Sequence, residues 1–323
     1  MVALLKKKSV HPNYVVVRRG RSRITHGYRL FCFLFGAMAL AFTGCHSRDT
    51  LPTKSSKTYS DFVSAFYTGL AALQVGDDVR AESELARATQ LVPGEPAAVA
   101  DWGVLALRQR NYEAAAQRLQ QALKLAPRND ALYYLMGLVE ADRGRSPEAI
   151  ADLRKAVDLN PKNLIATYQL AEEIERQNDP NSDADFQKLI QQIVQAQPGN
   201  VAALLELSRI AAKRGDNIAL KATVARIHAQ SQGWPPEVQA QLAALESASS
   251  RSDTRAASIR ATFLRNVLMR VPSFRQNLAE MKPAPGDEAQ PFTHFLRMGH
   301  APLRKHWPQK LQRMARSDIE MVE

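Results

Sequence analysis

Three histidines near the carboxyl terminus are the first residues whose type and spacing could do chemistry. His294, His300 and His306 recur every six residues, a pattern that invites comparison with a metal site. Side chains six residues apart lie on different faces of a helix, however, and no carboxylate shares the spacing. The adjacent acids Asp77-Asp78 and Glu172-Glu173 fall in a predicted turn and on a predicted helix surface, where solvation explains them. These groups therefore predict no metal site.

Catalytic sequence motifs are absent from the chain. It contains no GxSxG, no HExxH, no CxxC and no Gly-rich phosphate-binding loop. We therefore predict a protein without enzyme activity, metal or cofactor.

Cys45 is the one side chain for which the sequence predicts covalent chemistry. The 14 residues from Leu30 to Thr43 are an apolar run, and eight Lys and Arg precede it. This run is short for a bilayer-spanning helix, which needs about 20 apolar residues, and it fits the hydrophobic region of a secretory signal. The run leads into Thr43-Gly44-Cys45, which resembles the lipobox of bacterial lipoproteins.

The lipobox resemblance implies attachment of diacylglycerol to the Cys45 sulfur, cleavage after Gly44 and acylation of the new amino terminus. Residues 1–44 would then be a signal peptide and residues 45–60 a flexible membrane tether. Phe42 departs from the family, which usually has Leu there, and an uncleaved anchor or a cleaved soluble form is the alternative. His46 stands where an inner-membrane retention signal has Asp, which favours an outer-membrane lipoprotein facing the periplasm.

The net charge of +11 belongs mostly to the predicted signal. Without residues 1–44, 35 Lys and Arg face 32 Asp and Glu. A nearly neutral chain lacks the positive surface that a nucleic-acid partner requires, so no nucleic-acid partner is expected.

Five residue positions recur at intervals of 34 in three consecutive units. Gly and Ala let two helix backbones approach closely, and Pro ends a helix because it has no amide donor. Twelve residues separate the Gly from the first Ala, which places them on opposite helices of a hairpin. The positions are Gly69, Gly103 and Gly137; Ala81, Ala115 and Ala149; Leu85, Leu119 and Leu153; Ala88, Ala122 and Ala156; and Pro93, Pro127 and Pro161.

These residues and offsets resemble the tetratricopeptide repeat. The resemblance implies an all-α fold, a right-handed superhelical solenoid of stacked helix-turn-helix units. About five repeats are expected over residues 61–234, the last two divergent, with capping helices over 235–281 and a linker and basic tail over 282–323. Within the cap, Ile259, Phe263, Val267 and Val271 share one predicted helix face.

In this family the first helices of the repeats line a concave groove that binds peptides. The chain lacks the Lys and Asn that grip a terminal carboxylate in one subgroup, and its groove positions are mostly apolar. Tyr134 and Tyr168 are the predicted anchors for a partner segment, although packing between repeats is the alternative for them and for Phe66. The predicted groove residues are Phe66, Leu70, Ala100, Val104, Tyr134, Leu138, Tyr168, Glu172, Leu205 and Arg209.

Residues 264–298 are similar to a junction in larger bacterial tetratricopeptide proteins, where the repeats precede FG-GAP-type propeller domains. Two hypotheses follow for the function. The first is a protein-binding scaffold tethered to the envelope membrane through Cys45. The second is a structural or regulatory module of a propeller-containing protein. The sequence leaves the partner and the oligomeric state open.

Overall fold

The computed structural model describes residues 51–179 and 181–299, and within them all regular structure is helical. Thirteen helices follow one another in these ranges. They are α1 (Lys57–Val75), α2 (Asp78–Leu91), α3 (Pro96–Arg108), α4 (Tyr112–Leu125), α5 (Asp130–Asp142), α6 (Ser146–Leu159), α7 (Leu164–Gln177), α8 (Ser182–Ala196), α9 (Val201–Lys213), α10 (Asn217–Ala229), α11 (Pro236–Ser250), α12 (Thr254–Leu268) and α13 (Pro272–Met281).

Consecutive helices pack as hairpins, and each hairpin packs on the next. The all-α stack of helix-turn-helix units predicted from the 34-residue spacing is therefore confirmed. Five hairpins, α1–α2 to α9–α10, cover the predicted repeats, and α11–α12 form a sixth. No helix in the described ranges has the length and apolar character that a membrane span needs.

The Gly, Ala and Leu positions of the repeat explain why the hairpins close. The six repeat alanines, at 81, 88, 115, 122, 149 and 156, are fully buried. A Cβ added to Gly137 would lie 2.6 Å from Leu153 Cγ, and one on Gly69 would lie 2.8 Å from Leu85 Cγ. Only glycine therefore allows the first helix of these units to approach the leucine of the second.

Each repeat proline directly follows the C-cap residue of its second helix. Val92, Ala126 and Asn160 are these C-cap residues, with φ between −142° and −134° and ψ between 68° and 85°. A following proline disfavours the helical conformation at the residue before it, so the helix stops there. The same arrangement recurs at Gln197, before Pro198 in the divergent fourth unit.

Two local expectations differ from the structure. The predicted tether ends earlier, because Ser56 caps α1 by accepting a hydrogen bond from the Tyr59 amide, and Lys57 is already helical. Only part of the apolar face predicted for the cap is buried, since Val271 is buried and Val267 is partly buried. Ile259 and Phe263 are 50% and 51% exposed, whereas α12 buries Ala257, Ala261, Leu264 and Leu268. The helix α12 packs against both α9 and α11, and small alanines permit close helix packing.

The helix α13 turns the chain back onto the first helices of earlier repeats, packing against both α7 and α9. Asn277 Oδ1 accepts a hydrogen bond of 3.0 Å from the Val201 amide, and Asn200 Nδ2 donates one of 3.2 Å to the Asn277 carbonyl. This contact directs the residues after α13 toward the amino-terminal repeats.

Candidate binding groove

Residues 282–298 have no regular helix or strand, and they run along the first helices of the repeats in reverse order. Lys282 pairs with Glu172 on α7, and the Tyr134 hydroxyl on α5 donates a hydrogen bond of 3.2 Å to the Glu288 carbonyl. Farther along, Phe292 and Phe295 belong to the core that α1 and α3 build. We call residues 288–298 the C-terminal segment and the surface of α1, α3 and α5 that it covers the groove. The sequence predicted a linker and tail here, whereas the structure packs residues 282–298 onto the array.

The Glu95 side chain binds the backbone amides at the far end of the C-terminal segment. One carboxylate oxygen, Oε1, accepts a hydrogen bond of 2.7 Å from the Leu296 amide, and Oε2 accepts bonds of 2.9 Å from the Arg297 and Met298 amides. Arg297 also donates from Nη1 to the Gly94 carbonyl at 2.9 Å. Glu95 is 1% exposed, so its carboxylate has lost its hydration, and these charge-assisted bonds take the place of the lost water.

Glu95 is an exception within the repeat. It caps α3 by accepting a bond of 3.3 Å from the Ala97 amide. The equivalent position, two residues after the repeat proline, holds Asn129, Asn163 and Asn200 in the next three units, and each caps its helix through Oδ1. An amide serves that capping role well. The carboxylate in the second unit presents two acceptor oxygens, and both receive the C-terminal segment in addition to the cap.

A second acid, Asp101, lies on α3 and is fully buried. Its Oδ1 accepts a hydrogen bond of 2.6 Å from the Phe292 amide, while its Oδ2 is buried without a hydrogen-bond partner among the described residues. Burial raises the pKa of this carboxyl well above its usual range, and the bond from Phe292 acts in the opposite direction. Asp101 and Glu95 together fix two points of the segment's backbone.

Four aromatic rings of α1 surround the Phe295 ring. The centroid of Phe295 lies 5.1 Å from both Phe62 and Phe66, 5.7 Å from Tyr67 and 6.4 Å from Tyr59. Edge-on and tilted arrangements at these distances are favourable for aromatic pairs. The groove therefore contains an aromatic cage, formed by Tyr59, Phe62, Phe66 and Tyr67, that fits one phenylalanine.

The two predicted tyrosine anchors both contact residues after α13. Tyr134 is 8% exposed and bonds to Glu288, as described above. Tyr168 is 4% exposed, and Lys282 Nζ lies 5.6 Å from its ring centroid, beside the ion pair that Lys282 forms with Glu172. Burial raises the pKa of both hydroxyls, and the charge of Glu288 adds to the effect at Tyr134. Both hydroxyls therefore remain protonated donors.

The other predicted groove positions are buried or paired. Phe66 belongs to the aromatic cage, and Leu70 and Val104 are buried in the core of the first repeats. Leu138 lines an open cavity of about 470 Å³ between α3, α5, α7 and residues 282–289. Arg209 makes a bidentate contact with Glu175 at 2.8 and 2.9 Å, and its Nε donates to Glu206 at 2.7 Å. The predicted lipidation residue, Cys45, lies outside the described residues.

The residues that grip the segment most closely were missed by sequence reasoning. Glu95 could have been found as the acid that interrupts a row of asparagines two residues after each proline. Asp101 could have been noticed as an acid inside an otherwise apolar first helix. Phe292 and Phe295 follow a Pro-containing stretch that resembles a linker, and their spacing carries no repeat signal.

Residues 100–163 match the family model of the tetratricopeptide repeat. This chain contains tetratricopeptide repeats. Its matched region spans the second and third hairpins, where the spacing of 34 is strictest. No curated protein matches the chain in sequence.

Several solved structures are similar to this chain. PilF of Pseudomonas aeruginosa is 17% identical over 70% of this chain and 100% of PilF, with a TM-score of 0.49. A MamA fragment from Desulfovibrio magneticus RS-1 is 25% identical over 43% of this chain and 78% of the fragment, with a TM-score of 0.40. YrrB, described as having an unusual peptide-binding site, is 16% identical over 53% of this chain and 86% of YrrB, with a TM-score of 0.43.

Proposed function

We propose that this protein is a non-catalytic scaffold that binds a partner polypeptide along the first helices of its repeats. The observation that carries the proposal is the way the groove holds residues 288–298. Glu95 and Asp101 accept hydrogen bonds from four backbone amides, and the aromatic cage receives Phe295. Backbone amides are common to all polypeptides, so the same acceptors suit a non-helical segment of another protein.

The surface beyond the C-terminal segment extends the site. The cavity of about 470 Å³ has Leu107, Tyr112, Leu138 and Gln169 in its walls together with charged side chains. Apolar walls with a few polar groups are typical of sites that bind other molecules. A partner segment longer than the protein's own would continue from the groove into this cavity.

Site-specific photo-crosslinking tests the location of binding. A benzophenone side chain at position 169, in the cavity wall, should capture a partner in envelope membranes. The same group at position 218 is the control, because Ile218 is 85% exposed on α10 and absent from the cavity wall. Capture of the same proteins in equal amount from both positions would contradict a binding site along the first helices.

The two tyrosine anchors give a second test of the groove. Tyr134→Ala and Tyr168→Ala should lower capture at position 169. Tyr133→Ala is the matched control, since the Tyr133 hydroxyl donates its hydrogen bond to the Pro127 carbonyl, which closes the preceding repeat. A fall in the melting temperature with undiminished capture would show that Tyr134 and Tyr168 serve packing alone.

We further propose that the scaffold is tethered in the bacterial envelope, facing the periplasm, by lipid at Cys45. The supporting observations are the apolar run ending at Thr43 and the small residues before the cysteine. Metabolic labelling with an alkyne fatty acid should mark the wild type and leave Cys45→Ala unlabelled. Equal labelling of both would contradict lipidation. Density-gradient separation of the two membranes tests the proposed outer-membrane location, and inner-membrane recovery would contradict it.

A further inference from the structure

The C-terminal segment uses two kinds of contact that define a ligand. Its backbone amides at positions 292, 296, 297 and 298 bond to Asp101 and Glu95, and the three consecutive amides at Glu95 fix a bent, non-helical path. Its buried phenylalanines, Phe292 and Phe295, supply the sequence-dependent part. The first kind accepts any residue except proline, which has no amide donor, whereas the second requires two aromatic side chains three positions apart.

Glu95 indicates that the groove is built to accept a polypeptide backbone. Capping the amino-terminal end of the helix needs only an asparagine, which the next three units have at this position. A buried carboxylate in its place is unfavourable unless donors reach it. In this structure three of its donors come from the C-terminal segment and one from α3.

The C-terminal segment leaves part of the groove unsatisfied. Asp101 Oδ2 and the Tyr67 hydroxyl are buried without a hydrogen-bond partner among the described residues. Both belong to side chains that contact the segment, Asp101 through Phe292 and Tyr67 through the Phe295 ring. Unpaired buried polar atoms are unfavourable, so a ligand with one more polar group near Phe292 would fit this site better.

We propose that residues 288–298 are an intramolecular ligand, and that a partner takes their place with a non-helical segment containing two phenylalanines three residues apart. This inference rests on the proposed function and names its ligand class. The partner segment presents backbone amides to Glu95 and Asp101, seats one phenylalanine in the aromatic cage, and carries a polar group that reaches Asp101 Oδ2.

The covalent connection of the C-terminal segment to α13 determines how strongly the segment competes with a partner. A segment joined by a short linker competes at an effective concentration in the millimolar range. A foreign segment with equal contacts therefore binds the wild type weakly, and its apparent affinity rises as the segment leaves the groove. Weakening the protein's own segment should expose the full affinity of the groove.

The test uses the full chain and a labelled synthetic peptide of residues 288–298 as the probe. The double variant Phe292→Ala, Phe295→Ala frees the groove without changing its walls. We expect the peptide to bind this variant at least tenfold more tightly than it binds the wild type. Adding Glu95→Gln to the variant should weaken binding at least tenfold, and so should replacing both phenylalanines of the peptide by alanine.

Matched controls separate binding from folding. Phe263→Ala removes a ring that is 51% exposed on α12, and it should leave peptide affinity at the wild-type value. Melting of the double variant by circular dichroism establishes that the array is folded before binding is measured. If the double variant is unfolded, Phe295→Ala alone serves, and its peptide affinity should again exceed that of the wild type, because only the protein's own segment is weakened.

Three outcomes would overturn the exchange. The peptide could fail to bind the folded double variant, or it could bind equally with and without the Glu95 carboxylate. A wild-type dimer that dissociates on Phe295→Ala would show that a second copy of this chain takes the segment. Partner capture at position 169 with no peptide binding would contradict this inference and still support the proposed function. Peptide binding without partner capture would support the exchange and contradict the proposed function.

Discussion

Glu95 and Leu296 lie 201 residues apart in sequence, and the Glu95 carboxylate accepts the Leu296 amide at 2.7 Å. The first residue caps the second repeat, and the second belongs to a segment beyond the last helix. Their contact joins the carboxyl-terminal end of the described chain to its amino-terminal repeats. It also makes a single side chain responsible for three backbone hydrogen bonds of the C-terminal segment.

Replacing Glu95 by asparagine should release this segment while preserving the cap. Each charge-assisted bond contributes about 1.5–3 kcal/mol, so the open form should become at least about tenfold more populated. Trypsin cleavage after Arg297 measures that population, because proteolysis follows transient opening. Asn129→Asp, at the equivalent cap of the third unit, is the matched control and should leave the cleavage rate unchanged. Equal rates for Glu95→Asn and the wild type would contradict the role assigned to the carboxylate.

Gly137→Ala should destabilise the third repeat. The added Cβ would lie 2.6 Å from Leu153 Cγ, and overpacking of this kind typically lowers the free energy of unfolding by about 1–3 kcal/mol. The higher helix propensity of alanine offsets up to about 1 kcal/mol of this. Gly103→Ala is the comparison, since its Cβ would lie 3.0 Å from Leu119 Cγ and should be tolerated better. Urea unfolding checks the order, and a stabilised Gly137→Ala protein would refute it.

Arg209 should contribute to stability as the centre of an ion-pair cluster. Its guanidinium bonds to Glu175 and to the nearly buried Glu206, and Arg265 provides a second partner for Glu206. Arg209→Ala leaves these acids short of a cation and should lower the free energy of unfolding by about 3 kcal/mol.

The exposed pair of Arg87 with Glu84 gives the control for Arg209. Arg87→Ala should change the free energy of unfolding by less than about 1 kcal/mol. Urea midpoints of the two variants compare the sites, and similar small losses from both would show that the Arg209 cluster contributes no special stability.

Asp152 should make stability fall as pH rises. Burial, and then the negative charge of Glu140, raise the pKa of its carboxyl from 3.8 to about 6. Between these values the folded state binds more protons than the unfolded state, so the free energy of unfolding decreases with increasing pH. Asp152→Asn should flatten the urea-midpoint profile over that range, and Asp158→Asn, at an exposed site on the same helix, should leave it unchanged. A profile unaltered by Asp152→Asn would contradict this.

The part of the fold that depends on local spacing was predictable from the sequence. Recurrence at 34 residues identified the hairpins, and the close contact of Gly137 with Leu153 follows directly from it. The buried face of α12 was less predictable, because apolar periodicity favoured Ile259 and Phe263 while packing selected smaller residues. Helix periodicity alone does not reveal which neighbour a face meets.

The occupied groove could not be predicted from the repeat pattern. It depends on pairings between residues about 200 positions apart, such as Phe292 with Asp101. Neither residue belongs to a periodic set, and the residues before Phe292 have the composition of a linker. The groove positions predicted from the family resemblance, including Tyr134, lie on the correct helices because the spacing fixes them. Their role in binding a partner stays a prediction.

Amide hydrogen exchange of the C-terminal segment tests the central claim most directly. In the wild type, the amides of Phe292, Leu296, Arg297 and Met298 should exchange at least about tenfold more slowly than in a free peptide of the same sequence, because each donates to a buried carboxylate. Exchange of these amides at the free-peptide rate, while the amides of α1 to α6 remain protected, would show that the groove does not hold the segment.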